Sequence, residues 1–251
     1  MMESKALRII HLETTDSTNR EAFRLLGTSS PPEGTAIVAM HQYSGRGQGQ
    51  ASWESEPGKN LTFSVILRPV FLPPANQFLL NQAIALGVRD GIAELLTPKE
   101  NVLVKWPNDI YWKDRKVSGT LIENQIMGNR LLVAVAGIGI NVNQDQFSND
   151  APNALSIKTI TGTEFELSKV FETVFSSISW WYRVLQNENH KQIRESYLNH
   201  LLGFGETRRF SHEEKEFSGE ITGIDEYGRI LIRESGGQLL NFDIKEVRFL
   251  F

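Results

Sequence analysis

A chain of 251 residues with 40% hydrophobic and 22% charged residues and a net charge of −4 can bury a sizeable core, enough for one large domain and a small appendage. The absence of cysteine excludes disulfides, thiolate metal sites and sulfur nucleophiles, and the acidic balance gives no global attraction to nucleic acid. No run approaches the roughly eighteen apolar residues of a membrane span, and the start of the chain, with Glu3, Lys5 and Arg8, lacks a signal peptide's apolar stretch, so a cytoplasmic location is expected.

In chain order, Thr14 to Asn19 precedes Ala22, Phe23, Leu25 and Leu26 at helical spacing, which predicts a short helix capped by Asp16 or Ser17 and ending near Gly27. Strands are expected at Thr35 to Met40 and Leu61 to Leu67, joined by a Gly-rich polar loop from Tyr43 to Asn60. Ala75 to Leu96 reads as a long amphipathic core helix stopped by Pro98. Val102 to Trp106, Asp109 to Trp112, Val117 to Gln125 and Arg130 to Ile140 follow as an antiparallel meander. Helices are expected from Ser168 to Gln186 and onward to about His200. Short strands over Thr207 to Phe210, Glu216 to Ile224, Arg229 to Arg233 and Gln238 to Phe242 fit a small β-barrel.

Four segments concentrate chemistry. Gly45-Arg46-Gly47-Gln48-Gly49 offers backbone N–H groups and a guanidinium to an anion, or is simply a flexible surface loop. It matches neither a dinucleotide fingerprint nor a P-loop, because a strand rather than a helix follows and Gly58-Lys59-Asn60 lacks the required partners. Lys105-Trp106-Pro107-Asn108-Asp109 sets a cation, an aromatic, an amide and a carboxylate about a proline turn, which is equally what a structural turn needs. Lys116-Val117-Ser118-Gly119 joins a lysine, otherwise merely solvated, to a strand glycine that lets a ligand approach. Gly137-Ile138-Gly139-Ile140-Asn141 holds strand-interior glycines that mark a β-bulge or a close-approaching ligand. The five histidines form no ligand-spaced pair, and there is no Gly-x-Ser-x-Gly elbow.

In order, Ser17-Thr18-Asn19, Gln42 with Gly45-Arg46-Gly47 and Trp53, Lys105 to Asp109, Arg115-Lys116 with Gly119, and Gly139-Ile140-Asn141 resemble the motif set of biotin–protein ligases, and Asn153-Ala154-Leu155-Ser156 is similar to a further family segment. The resemblance is strong over residues 10 to 160 and architectural beyond. It implies an α+β fold: a mixed, mostly antiparallel sheet with helices as a class II synthetase-like catalytic domain (1–203), and a small C-terminal SH3-like β-barrel (204–251). It implies that biotin is activated by ATP as biotinyl-5'-AMP and passed to a lysine of a biotin carboxyl carrier protein or carboxylase subunit.

By the same resemblance Ser17, Thr18, Gln42, Gly45, Arg46, Lys116, Gly119 and Gly139 would contact biotin, and Arg46, Gly47, Trp53, Asn108, Asp109 and Asn141 the ATP or adenylate. Lys116 and Arg46 would be catalytic, and Asp109 would be associated with Mg2+. Two departures stand out. Gln48 occupies a position where the family commonly has a second basic residue, and the register continues as Gly49-Gln50-Ala51. Ser17 also lies too near the start for the winged helix of the repressor members, so neither DNA nor a membrane is an expected partner. A monomer or homodimer is expected. A lipoate–protein ligase and a non-catalytic biotin-binding module are the alternatives.

Overall fold

Strands buried on both faces set the centre of the fold. A computed structural model describes residues 8–49, 51–148 and 151–251, so Glu3, Lys5 and Gln50 lie outside the described residues. The first sheet contains β1 (Ile9–Thr15), β2 (Ala36–Gln42), β3 (Leu61–Leu67), β4 (Val102–Lys105), β5 (Asp109–Trp112), β6 (Arg115–Met127) and β7 (Arg130–Ile140). Their order is β1-β2-β3-β7-β6-β5-β4, with β1 parallel to β2 and every other pair antiparallel. All of β3 is buried because the sheet is covered on both faces. Alternation then sorts its side chains. Ile37, Ile66 and Val135 pack on one face against Ala22, Phe23, Leu25 and Leu26 of α1 (Thr18–Thr28), while Ala36, Val65 and Ala136 join the larger core on the other.

That larger core is built on α2 (Gln77–Ala93), followed by a short α3 (Ile157–Thr161), α4 (Leu167–Gln186) and α5 (His190–Asn199). An amphipathic helix from Ala75 to Leu96 is the sequence expectation. Instead α2 is entered through a 3-10 turn at Pro74–Asn76, ends at Ala93 and is buried nearly all round. The reason is close packing. A Cβ added to Gly87 would fall 2.5 Å from the Ile178 Cα, and one added to Gly91 would fall 2.5 Å from the Val174 Cα, so the two glycines admit the backbone of α4. Gly91→Val is therefore expected to lower unfolding stability by about 1–3 kcal/mol. A urea midpoint unchanged from wild type would show that the helices can part freely.

The second sheet comprises β8 (Thr207–His212), β9 (Lys215–Ile224), β10 (Ile230–Glu234), β11 (Leu239–Phe242) and β12 (Val247–Leu250), in antiparallel order β11-β10-β9-β8-β12. It is consistent with the expected SH3-like barrel. Phe210, Ile221, Ile230, Ile232 and Phe242 fill it and are continuous with the core around α2. The turn after β4 is tied to the turn between β9 and β10, where the Trp106 indole N–H donates to the Gly228 carbonyl at 2.9 Å, and the segment that leads from α5 into the second sheet is tied to β4, where Leu202 N–H donates to the Val104 carbonyl at 2.8 Å. No helix among the described residues is long and apolar enough to cross a membrane.

Candidate active site

The N-terminus of α1 meets the sheet at a buried polar cluster. Ser17, Thr18 and Asn19 are each 3% exposed, so their polar groups need partners. Gln42 Oε1 accepts from the Thr18 N–H at 2.7 Å and lies 3.1 Å from the Thr18 hydroxyl. The Ser64 hydroxyl lies 2.7 Å from Thr18 Oγ1 and 2.6 Å from Asn19 Oδ1. Asp16 accepts from the Ser17 N–H and pairs with Arg24 and Arg20. Against desolvation, which raises it, the hydrogen bonds from Arg24 and Ser17 bring its carboxyl down to about 2.

Asn19 then reaches across the sheet. Its Nδ2 donates to Glu123 Oε2 at 2.8 Å, and Glu123 Oε1 accepts from Arg46 Nη1 at 2.9 Å. The Asn19 amide fills the space that a side chain on Gly137 would take. One of the strand glycines is thus explained by the protein's own packing. A β-bulge at these glycines does not occur, since β7 pairs with β3 and β6 without a shift through Gly137 and Gly139.

Gly139 has a second role. It stands directly opposite Gly119 on β6, and the two form a side-chain-free floor. The Trp53 indole lies on that floor: a Cβ on Gly139 would overlap the ring, and one on Gly119 would lie 3.1 Å from ring atom Cζ3. The indole N–H is buried with no acceptor among the described residues. Gly139→Ala is expected to displace the ring, read as a change in the emission difference between Gly139→Ala and Gly139→Ala with Trp53→Phe, relative to the same difference in wild type. An unchanged difference would mean that the ring has room elsewhere.

Lys116 reaches the same floor through a register shift. Simple alternation would put residues 115, 117 and 119 on one face. The pairing of β5 with β6 shifts between Ile110 and Tyr111, and the resulting bulge turns Lys116 onto the face of Gly119, its Nζ 3.1 Å from the Cβ position of that glycine. Lys116 Nζ donates to Asp109 Oδ2 at 2.7 Å and stands 6.0 Å from the Trp53 ring centre. Asn153 and Leu155 fasten the start of β6 through the Lys116 backbone, each at 2.8 Å.

Tyr197 donates to the Pro107 carbonyl at 2.8 Å, so the turn carrying Asn108 and Asp109 is braced by α5 as well as by the Trp106 bond to the turn between β9 and β10. The Asn108 side chain is nearly buried, lines the cleft and makes no hydrogen bond among the described residues. Lys105 Nζ sits 4.9 Å from the Phe249 ring centre and 5.7 Å from that of Tyr111. Burial pushes its ammonium below the usual lysine range, with Lys116 adding to the effect and Asp109 opposing it.

These groups surround one cleft of about 560 Å3, lined by Ser17, Thr18, Gln42, Arg46, Gly47, Trp53, Asn108, Asp109, Lys116, Gly119 and Gly139 among others. Gly45 stands just behind the lining at the neck of the loop, where the Trp53 N–H donates to its carbonyl at 3.0 Å. Asn141 is 3% exposed and does not line the cleft; its amide lies 3.4 Å from the Lys116 carbonyl. The loop expected to lack regular structure forms a small hairpin tip, with an antiparallel bridge between Arg46 and Ser52 and the Gly47 N–H donating to the Ala51 carbonyl at 2.7 Å.

Sequence reasoning missed the wall contributed by Ile244, Lys245, Val247, Arg248, Phe249 and Phe251, and it missed Glu123. Among the described residues no three His, Asp or Glu side chains cluster as metal ligands. Asp109 is engaged by Lys116, so a Mg2+ at this carboxylate would draw its other oxygens from elsewhere, such as nucleotide phosphates.

Residues 11–141 match the model of the biotin/lipoate A/B protein ligase family. The chain is 32% identical over 235 residues to the bifunctional ligase/repressor BirA of Bacillus subtilis, covering 91% of this chain and 70% of that protein. It is 27% identical to a biotin–[acetyl-CoA-carboxylase] ligase of Paracoccus denitrificans, covering 90% of this chain and 95% of that one. The fold superimposes on a biotin protein ligase from Aquifex aeolicus, solved in complex with biotin and ATP, with a TM-score of 0.79 at 28% identity over 97% of this chain and 98% of that chain.

Proposed function

The chain belongs to the biotin/lipoate A/B protein ligase family, and from that premise we propose that it activates biotin with ATP and transfers the biotinyl group to a lysine of a carboxylase carrier protein. The observation that carries the reading is the floor of Gly119 and Gly139 with Lys116 at its end: the Trp53 indole lies flat against that backbone, and a flat acyl substrate that displaces the ring would have its carboxylate toward an ammonium. A biotin carboxylate oxygen attacks the α-phosphorus of ATP and pyrophosphate leaves; the carrier amine then attacks the acyl carbon and AMP leaves.

We assign the chain's residues to these steps as follows. Thr18 and Gln42, prefixed by their mutual hydrogen bonds, recognise the ureido ring together with Ser17 beside them. Lys116, held by Asp109, faces charge developing between carboxylate and phosphate, a position where a preset cation favours the transition state over the ground state. Arg46, Gly47, Trp53 and Asn108 take the adenylate side, with Arg46 exchanging Glu123 for phosphate oxygens. Mg2+ enters with the nucleotide, and no step is assigned to it. Residues 1–203 form the catalytic domain and 204–251 the barrel that closes the cleft. The test is ATP–pyrophosphate exchange: biotin is expected to support it and lipoate not. Exchange with lipoate alone would transfer the reading to the other branch of the family, and exchange with neither would leave a binding module.

A further inference from the structure

The turn between β11 and β12 brings a lysine to the glycine hairpin from about two hundred residues away in sequence. Lys245 Nζ donates to the Gln48 carbonyl at 2.8 Å and occupies the space where a side chain on Gly49 would project. Lys245 itself has a φ of 78°, a left-handed conformation that disfavours a non-glycine residue. Among the described residues it has no carboxylate partner, so no ion pair accounts for where its ammonium sits. The hairpin is short of positive charge of its own. From Tyr43 to Ser52 its one charged residue is Arg46, which Glu123 neutralises.

We propose that Lys245 is a positioning residue that pins the hairpin tip over the cleft and sets beside it the positive charge that Gln48 does not supply. The inference rests on reading the cleft as the adenylate site, because a pinned tip with an adjacent ammonium retains an anionic intermediate. The contact is to the backbone of Gln48, so it is independent of the Gln48 side chain. Replacing Lys245 should loosen the hairpin, and replacing Gln48 should not.

The experiment compares the full chain with Lys245→Met, Lys245→Gly, Lys245→Arg and Gln48→Ala. The first readout needs no ligand: the rate at which trypsin cuts the Arg46–Gly47 bond, followed by mass. Loss of one charge-assisted hydrogen bond at an exposed site should raise that rate roughly three- to tenfold in Lys245→Met and Lys245→Gly, with Lys245→Arg and Gln48→Ala near wild type. Lys245→Gly relieves the left-handed φ, so faster cutting there assigns the effect to the ammonium rather than to a disturbed turn. The second readout is the lifetime of enzyme-bound biotinyl-adenylate after one turnover, expected to shorten in the same two variants. Cutting at the wild-type rate in Lys245→Met overturns the proposal. A wild-type protein that forms no adenylate overturns the functional reading instead, and the trypsin arm still decides the pin. Faster cutting with an unchanged adenylate lifetime also overturns the proposal, since the pin would then hold nothing in.

Discussion

Lys116→Ala is expected to slow biotin-dependent pyrophosphate exchange by about 10²- to 10³-fold, the usual effect of removing one preset group from developing charge. Biotin binding should weaken much less. The split follows from geometry. The bulge between β5 and β6 fixes the lysine backbone, Asp109 fixes its ammonium at 2.7 Å, and the glycine floor keeps its approach clear. The stability of the fold should barely change, because the Lys116–Asp109 pair is partly exposed, at 31% and 24%, and such pairs contribute about 0–1 kcal/mol. Lys116→Arg should not restore the rate, since a planar, bulkier guanidinium does not substitute for a compact ammonium beside the Trp53 ring. Single-turnover kinetics with equilibrium biotin binding checks the split, and a Lys116→Ala exchange rate equal to wild type would remove the residue from the mechanism.

The sequence was most informative where one segment carries its own reasons. The bounds of β3, β5 and β7 follow from apolar runs closed by turn residues, and the five motifs that converge on the cleft are each local. What escaped was relational. Strand β1 is an edge strand whose alternation is blurred by half-exposed residues, and β12 has four residues and takes its partner from β8. The burial of α2 is set by the approach of α4, although Gly87 and Gly91, one turn apart, were a usable signal for it. Glu123 and Lys245 have no signature at all: a glutamate late in a strand and a lysine in a polar turn read as solvated charges until the fold brings them to Arg46 and Gln48. The glycines of β7 read as a β-bulge or the approach of a ligand, and pattern alone does not reveal that the groups packed against them are the chain's own Asn19 and Trp53.

Arg46→Gly is expected to release biotinyl-adenylate roughly ten- to a hundredfold faster than wild type, the equivalent of losing one hydrogen bond to a charged group, and to label bystander lysines in proportion. The magnitude of the competing contact decides whether Arg46 is free to act. Its pair with Glu123, at 2.9 Å, is 37% and 27% exposed, so it contributes little, whereas the oxygens of an adenylate phosphate in the cleft offer a stronger partner through charge-assisted hydrogen bonds. Glu123 therefore parks the arginine at small cost and gives it up to the intermediate. Asn19, bonded to the other oxygen of the same carboxylate, keeps Glu123 in place through the exchange. Glu123→Gln should then lengthen adenylate retention or leave it unchanged, because the guanidinium loses a competitor rather than a helper. Gln48→Ala should be mild, since its side chain is neutral and the contact made at Gln48 is to the backbone carbonyl. The measurement is decay of labelled adenylate on the enzyme after rapid removal of free substrate, with labelling of an added bystander protein as a second readout. If Arg46→Gly holds the intermediate as long as wild type, or Glu123→Gln releases it as fast as Arg46→Gly does, the handover from carboxylate to phosphate is not how this loop works.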